Sequence, residues 1–176
     1  VVENGARVIL GEGLPYDRCS VGVVTNIVAE DEDLSRWDVQ PTGGEYYTTH
    51  RSIYRTQVDV VLSSGHAVLN AGDSLVAEFA ELCDGEVIFY AADPACPALA
   101  EHLAAGKRGV YVSEGRITLG TGTEEIRLCR LGDVPVIGKQ KDPATIANVL
   151  AAIAAGWAMD LSQEVIATGV KTFGLE

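Results

Sequence analysis

The chain has 176 residues, 47% of them apolar and 22% charged, which is the composition of a globular protein of one domain. Its 25 acidic and 13 basic residues give a net charge of −12, which argues against a nucleic-acid surface and against docking on anionic lipid. No apolar run approaches the ~18 residues of a membrane-spanning helix, and the N-terminus lacks the basic region of a signal peptide.

The first residue and the four cysteines indicate how the chain arises and which compartment it occupies. The first residue is not methionine, so we expect the chain to begin inside a longer protein or to be processed. None of the four cysteines belongs to a CxxC pair or stands at ligand spacing from a histidine, which argues against a zinc site. They predict reduced thiols in a cytoplasmic protein, although the sequence does not exclude a disulfide.

The first half of the chain carries one strongly apolar segment and a long polar one. Ser20–Asn26 is β-branched and nearly all apolar, which is typical of a strand buried on both faces of a parallel sheet. The acidic run Glu30–Asp33 and the turn-rich Pro41–Gly44 predict a surface loop. Glu45–Arg55 is predicted to form a short helix.

The next segment predicts two strands and a helix. Val58–Leu62 and His66–Asn70 are interpreted as strands separated by a turn at Ser63–Gly65. A helix follows, capped by Asp73 or Ser74, with an apolar face at Leu75, Val76, Phe79 and Leu82.

The second half predicts a strand, a meander and three helices. Glu86–Tyr90 is a strand and Pro97–Ala105 a helix that Gly106 ends. Three short strands separated by turns predict an antiparallel meander: Gly109–Val112, Arg116–Leu119 and Ile126–Leu131. The last two helices begin at Asp142-Pro143 and at Ser162. The order of elements predicts a single α/β domain over residues 1–176, with a mostly parallel sheet and flanking helices.

No complete catalytic motif is present in these 176 residues. The glycine-rich Gly120–Thr123 stretch is interpreted as a hairpin turn and not as a phosphate cradle. The acidic run Glu30–Asp33 has the oxygen ligands for a hard divalent cation, but it is interpreted as a solvated loop. The three histidines, His50, His66 and His102, are predicted to be structural.

Asn148 is the one amide in an otherwise apolar helical segment. A buried amide needs hydrogen-bond partners. The sequence leaves two alternatives: a hydrogen bond to a neighbouring loop, or presentation of the amide to a ligand.

Three longer phrases resemble the cyanophycin synthetase family, within the Mur-ligase superfamily. The first is EGLPYDRC at Glu12–Cys19, continued by VGVVTNI at Val21–Ile27. The second is AVLNAGDSLV at Ala67–Val76, and the third is IANVLAAIAAGWA at Ile146–Ala158. Their order and spacing agree with the family over nearly all of the chain, so homology is expected.

The resemblance implies a large ligase that uses ATP and Mg²⁺ to activate a peptide carboxylate as an acyl phosphate, which an amine then attacks. The Mur-like half of the family is associated with adding arginine to aspartate side chains of a polymer. The chain corresponds to the later part of the central ATPase domain, with nucleotide and peptide substrate as partners. The phosphate loop and the C-terminal Mur domain lie outside these 176 residues. A sheet cut short in this way favours a homo-oligomer.

Carried over residue by residue, the resemblance implies that Glu3 helps to hold Mg²⁺ and that Asn148 reaches the nucleotide base. Asn70 and Asp73 match a phrase that lies near the nucleotide in the family. These four residues are the predicted site.

The departures from the family concern the metal and the phosphates. Residues 28–34 contain no histidine, where the family carries a metal-binding one, and the first lysine of the chain is Lys107. The lysine that bridges to metal in Mur ligases, often carbamylated, is therefore missing, and arginine does not replace it because it stays protonated. Without the phosphate loop, the electrostatic stabilisation of phosphoryl transfer is largely absent.

The chain alone is therefore predicted not to turn over ATP. Two hypotheses remain open beside an unrelated α/β binding protein. The chain is part of an ATP-dependent amide ligase, or it is a degenerate relative that acts as a non-catalytic scaffold or interaction domain.

Overall fold

The computed structural model describes residues 1–27, 53–138 and 142–174. These residues form a six-stranded sheet in the order β1-β2-β3-β4-β5-β6. The strands β1 to β4 pair in parallel, and β4, β5 and β6 pair antiparallel. The predicted α/β class, with a mostly parallel sheet and a small meander, is confirmed. The strands are β1 (Cys19–Val24), β2 (Val61–Asn70), β3 (Glu86–Ala91), β4 (Arg108–Ser113), β5 (Arg116–Thr121) and β6 (Glu124–Arg130).

Helices cover both faces of the sheet. They are α1 (Ala6–Glu12), α2 (53–59), α3 (Ser74–Ala77), α4 (Pro97–Ala104), α5 (Pro143–Ala158) and α6 (Gln163–Thr172). One face packs against α5 and α6, and the other packs against α2, α3 and α4. Among the helices described, none has the length and apolar character that a bilayer crossing requires.

The apolar runs form the inner strands because side chains of one strand alternate between the two faces. In β3, Ile88 and Tyr90 join the core under α5, while Val87 and Phe89 join the core on the opposite face. A strand buried in this way on both faces has no polar positions to alternate with, which is why its sequence is continuously apolar.

The region before β2 differs from the prediction. Residues 53–59 are helical, and β2 is continuous from Val61. The predicted strand Val58–Leu62 is therefore wrong before Val61 and correct for Val61 and Leu62, and the predicted turn at Ser63–Gly65 is wrong. Between the pairs Cys19↔Val61 and Val21↔His66, β1 advances by two residues and β2 by five. The polar residues Ser63–Gly65 therefore form a bulge inside β2. Glycine at position 65 lets the backbones of β1 and β2 approach closely, because a Cβ there would lie 2.5 Å from the Ser20 carbonyl oxygen.

The helix predicted after Asp73 is split into the single turn of α3 and a 3₁₀ segment, Glu78–Leu82. The buried Val76 and Phe79 are three residues apart, and the half-buried Leu82 follows at the same spacing. A period of three suits a 3₁₀ helix, which aligns side chains at i and i+3.

The second half follows the prediction closely. The β5–β6 connection is a hairpin turn in which Gly122 has φ 60°, so the glycine-rich stretch is a turn as predicted. In α5, Pro143 occupies the first turn and the Asp142 carboxylate accepts a 2.8 Å hydrogen bond from the Thr145 backbone N–H. The acidic run Glu30–Asp33, His50 and most of Glu45–Arg55 lie outside the described residues. The helix α1 has no counterpart among the predicted elements.

Candidate functional site

The carboxyl ends of β1, β2 and β3 meet at one edge of the sheet, here called the carboxyl edge. Asn70, the last residue of β2, is in register with Tyr90 of β3. The Tyr90 hydroxyl donates a 3.3 Å hydrogen bond to the carbonyl of Thr25, just after β1. Burial, and secondarily the Asp73 carboxylate, raises the pKa of Tyr90 well above its usual range, so the hydroxyl remains a donor. Ligands of open α/β sheets bind at such edges.

Asp73 lies at this edge, where its carboxylate is occupied by the backbone. Its Oδ1 accepts from the N–H groups of Leu75 at 3.0 Å and Val76 at 3.3 Å, which caps α3. Its Oδ2 accepts from the Ile27 N–H at 2.9 Å. Three backbone donors therefore hold this carboxylate, and it braces the chain that leaves β1 against the chain that leaves β2.

Asn70 has one half of its amide engaged. Its Oδ1 accepts a 2.9 Å hydrogen bond from the Gly72 N–H, which closes the turn after β2. The Nδ2 group donates to no partner among the described residues. The half-buried side chain thus holds its turn and keeps a donor for a ligand.

We infer from one contact that α5 runs antiparallel to the strands, with Asn148 towards the same end of the sheet as Asn70. Near the carboxyl-terminal end of α5, the Trp157 ring lies 5.1 Å from the Arg108 guanidinium, at the amino end of β4. The nine residues from Asn148 to Trp157 span about 14 Å of helix. The six residues of β3 span a similar length, about 17 Å. These lengths put Asn148 near the level of the carboxyl edge by inference. It is exposed and makes no side-chain hydrogen bond among the described residues.

Two further polar residues at the carboxyl edge escaped the sequence reasoning. Asn26 follows β1 and Asp93 follows β3, and both are exposed. The Asp93 Oδ1 accepts from the Ala95 N–H at 2.8 Å, so this carboxylate shapes its own turn. The sequence signal that could have identified them is their position, two residues after the end of a buried apolar run.

Glu3, the predicted metal ligand, is exposed ahead of α1. No hydrogen bond or ion pair of the described residues joins it to Asn70, Asp73 or Asn148. Its neighbour Asn4 donates to the Tyr16 hydroxyl at 2.7 Å. Within the described ranges there is no group of three or more His, Cys, Asp or Glu side chains that would hold a metal ion.

The two described histidines lie away from the carboxyl edge. His66 contacts Glu86 at 3.5 Å, at the amino end of β3, where Glu86 also receives two 3.0 Å hydrogen bonds from Arg108. These hydrogen bonds are the main cause that lowers the pKa of Glu86. His102 is buried, with Nε2 3.0 Å from the Val87 carbonyl oxygen, and burial lowers its pKa. Both have packing roles in the fold.

The fold places the chain in the class of α/β domains with a mostly parallel sheet and polar residues at its carboxyl edge. No protein-family model matches the chain. It is 32% identical over 173 residues to cyanophycin synthetase of Synechocystis sp. and 31% identical over 173 residues to that of Geminocystis herdmanii. A third, from Crocosphaera subtropica, is 31% identical over 175 residues. Each comparison covers 98% of the chain.

The chain is therefore a homologue of a segment of cyanophycin synthetase, and the resemblance that its sequence phrases predict is confirmed. It spans about a fifth of the length of the curated relatives it matches, 19% in each case. The activity of those whole enzymes is therefore a proposal for this chain and not a finding.

Proposed function

We propose that this chain is the later part of the ATP-binding domain of a cyanophycin-synthetase-like ligase of the cytoplasm. That ligase would join an amino acid such as arginine to an aspartate-containing polymer, with a nucleotide and a peptide as substrates. The observation that supports the proposal is the similarity to cyanophycin synthetase over 98% of the chain, together with the position of Asn70 at the carboxyl end of β2.

The amides at the carboxyl edge fit the base of a nucleotide. A carboxamide both donates and accepts hydrogen bonds, as the edge of a purine does. The Nδ2 group of Asn70 and the whole exposed amide of Asn148 are available for this role among the described residues. In the ligase, ATP supplies the activation of a carboxylate. The part of this chain would be to hold and orient the nucleotide.

The described residues do not fit Mg²⁺. Hard cations bind groups of oxygen ligands, and within the described ranges Glu3 belongs to no group of three or more His, Cys, Asp or Glu side chains. The Asp73 carboxylate is held by three backbone N–H groups. We therefore assign no Mg²⁺ ion to these residues, and we expect the chain alone to release no phosphate from ATP.

A second candidate is a non-catalytic scaffold or interaction domain. The bracing role of Asp73 favours it, because a carboxylate that nucleotide chemistry would use serves the backbone instead. In this case the sheet is preserved for its shape, and nucleotide affinity is lost.

Calorimetry with ATP and Mg²⁺ titrated into the pure chain tests the first candidate against the second. We expect measurable binding that Asn148→Ala weakens about 5- to 10-fold, the effect of one lost hydrogen bond. The control is Gln163→Ala, which removes an exposed amide from the first turn of α6 and should leave the affinity unchanged. No binding at millimolar ATP would favour the scaffold. Phosphate release by the pure chain that Glu3→Ala abolishes would contradict the proposed inactivity.

A further inference from the structure

Asn26 is an exposed amide at the carboxyl edge, two residues beyond the end of β1. The last register pair of β1 and β2 is Val24↔Leu69, so Asn26 and Asn70 both belong to the exits of neighbouring strands. Such strands lie about 4.8 Å apart. Within the described ranges the Asn26 side chain makes no hydrogen bond, so the whole amide is available to a ligand.

The two peptide groups that flank the Asn26 Cα are each held by a side chain from a distant part of the sequence. On one side, the Tyr90 hydroxyl donates to the Thr25 carbonyl at 3.3 Å. On the other side, the Asp73 carboxylate accepts from the Ile27 N–H at 2.9 Å. Because each peptide group is planar, these two contacts restrain the backbone on both sides of Asn26 and so orient its Cα–Cβ bond.

Both supports are themselves anchored. Tyr90 is completely buried in the core under α5, and the second oxygen of Asp73 caps α3. An exposed side chain that only meets solvent gains nothing from a fixed orientation. A binding group does gain, because less conformational entropy is lost when its ligand arrives. The supports therefore indicate that the Asn26 amide binds a ligand.

We propose that Asn26 is a further nucleotide-binding residue of the carboxyl edge, with Tyr90 and Asp73 as its positioning residues. The inference rests on the proposed function. The Asn26 amide offers a donor and an acceptor beside the Nδ2 group of Asn70, and a nucleotide presents both kinds of partner. Tyr90 acts through the Thr25 carbonyl and, because it is buried, does not touch the ligand.

Calorimetry with ATP and Mg²⁺ titrated into the full chain tests the binding role. Asn26→Ala should weaken the affinity about 5- to 10-fold, the effect of one lost hydrogen bond. It should leave the urea midpoint unchanged, because the side chain is exposed. Gln163→Ala, which removes an exposed amide from α6, is the matched control and should bind ATP as the unsubstituted chain does.

Tyr90→Phe tests the positioning role, because it removes the hydroxyl and keeps the buried ring. We expect it to weaken ATP binding about 2- to 5-fold when Asn26 is present and to have no effect in the Asn26→Ala chain. An equal loss in both backgrounds would show a general structural effect and overturn the positioning role. If Tyr90→Phe fails to fold, Asn26→Ala alone decides the binding role.

The outcomes separate this inference from the proposed function. An unsubstituted chain that binds ATP, with an affinity that Asn26→Ala leaves unchanged, would overturn the inference and leave the proposed function standing. An unsubstituted chain that binds no ATP at millimolar concentration would overturn both.

Discussion

Asp73 joins the exits of two neighbouring strands, because its Oδ2 accepts a 2.9 Å hydrogen bond from the Ile27 backbone N–H while its Oδ1 caps α3. Ile27 is 9% exposed, so water does not readily replace the lost acceptor. The carboxylate that the sequence resemblance places near the nucleotide is, in this fold, a structural brace.

Asp73→Ala should therefore cost more than the loss of an ordinary helix cap. We expect a decrease of about 2–4 kcal/mol in the free energy of unfolding, the sum of a lost cap and an unsatisfied backbone donor. Urea denaturation measures it. Ser162→Ala, which removes only the 3.3 Å cap of α6, is the matched control and should cost about 1 kcal/mol. Equal costs for the two variants would show that the Ile27 contact contributes nothing.

Gly65→Ala should destabilise the sheet through a backbone clash. The added Cβ would lie 2.5 Å from the Ser20 carbonyl oxygen and 3.1 Å from that of Leu62, and neither backbone atom is free to move. We expect a loss of about 1–3 kcal/mol, as for overpacking. Gly132→Ala places a Cβ with nothing within 4 Å and should change stability by less than about 0.5 kcal/mol. Thermal unfolding compares the two variants, and similar midpoints would contradict the close approach of β1 and β2.

His102 should make the fold sensitive to mild acid. Burial lowers its pKa from 6.5, so the unfolded chain takes up a proton before the folded chain does. Stability is complete above about pH 6.5 and falls as the pH drops from there towards the folded pKa. In His102→Gln, where an amide N–H can still donate to the Val87 carbonyl, we expect a flatter profile between pH 7 and pH 5. His66→Gln, which keeps His102, is the control. The measurement is the free energy of unfolding at several pH values. The same dependence on pH in His102→Gln and in the unsubstituted chain would refute this role.

The Glu86–Arg108 pair should act at lower pH. The two hydrogen bonds from Arg108 lower the pKa of Glu86 from 4.5, so its contribution is present above about pH 4.5 and disappears as the pH falls through the folded pKa. The Glu86 side chain is 48% exposed, which limits the effect to less than about 1 kcal/mol.

Glu86→Gln tests this pair. We expect it to be less stable than the unsubstituted chain at pH 7 and equally stable near pH 3. Glu114→Gln, which breaks the exposed 3.0 Å pair with Arg127, is the control and should have little effect at either pH. A constant difference across the pH range would exclude the ion pair as its cause.

Local sequence predicts most of the elements correctly. Asp73, Asp142 and Ser162 are predicted to begin helices, and each side chain accepts a hydrogen bond from a backbone N–H of the first turn. The apolar runs predict β1 and β3. These features depend on residues within one or two turns of each other, so the sequence contains all the information that they need.

The error before β2 shows where local reasoning stops. The apolar segment at 58–62 has a strand's composition, yet residues 53–59 are helical and bury Val58 against the sheet. Ser63–Gly65 has a turn's composition, yet it lies within β2 next to Ser20 of β1. Tertiary packing outweighs propensity in both places, because burial and strand pairing contribute more free energy than the preference of a few residues.

The sequence by itself determined the α/β class, the helix starts and the similarity to cyanophycin synthetase, since each of these is encoded in contiguous residues. Only the tertiary structure decided which candidate residues share an edge. The direction of α5, inferred from the Arg108–Trp157 contact, puts Asn148 towards the end of the sheet where Asn70 lies, and the fold commits the Asp73 carboxylate to the backbone. Contacts between residues tens of positions apart depend on strand order, register and helix direction, which are properties of the folded chain as a whole.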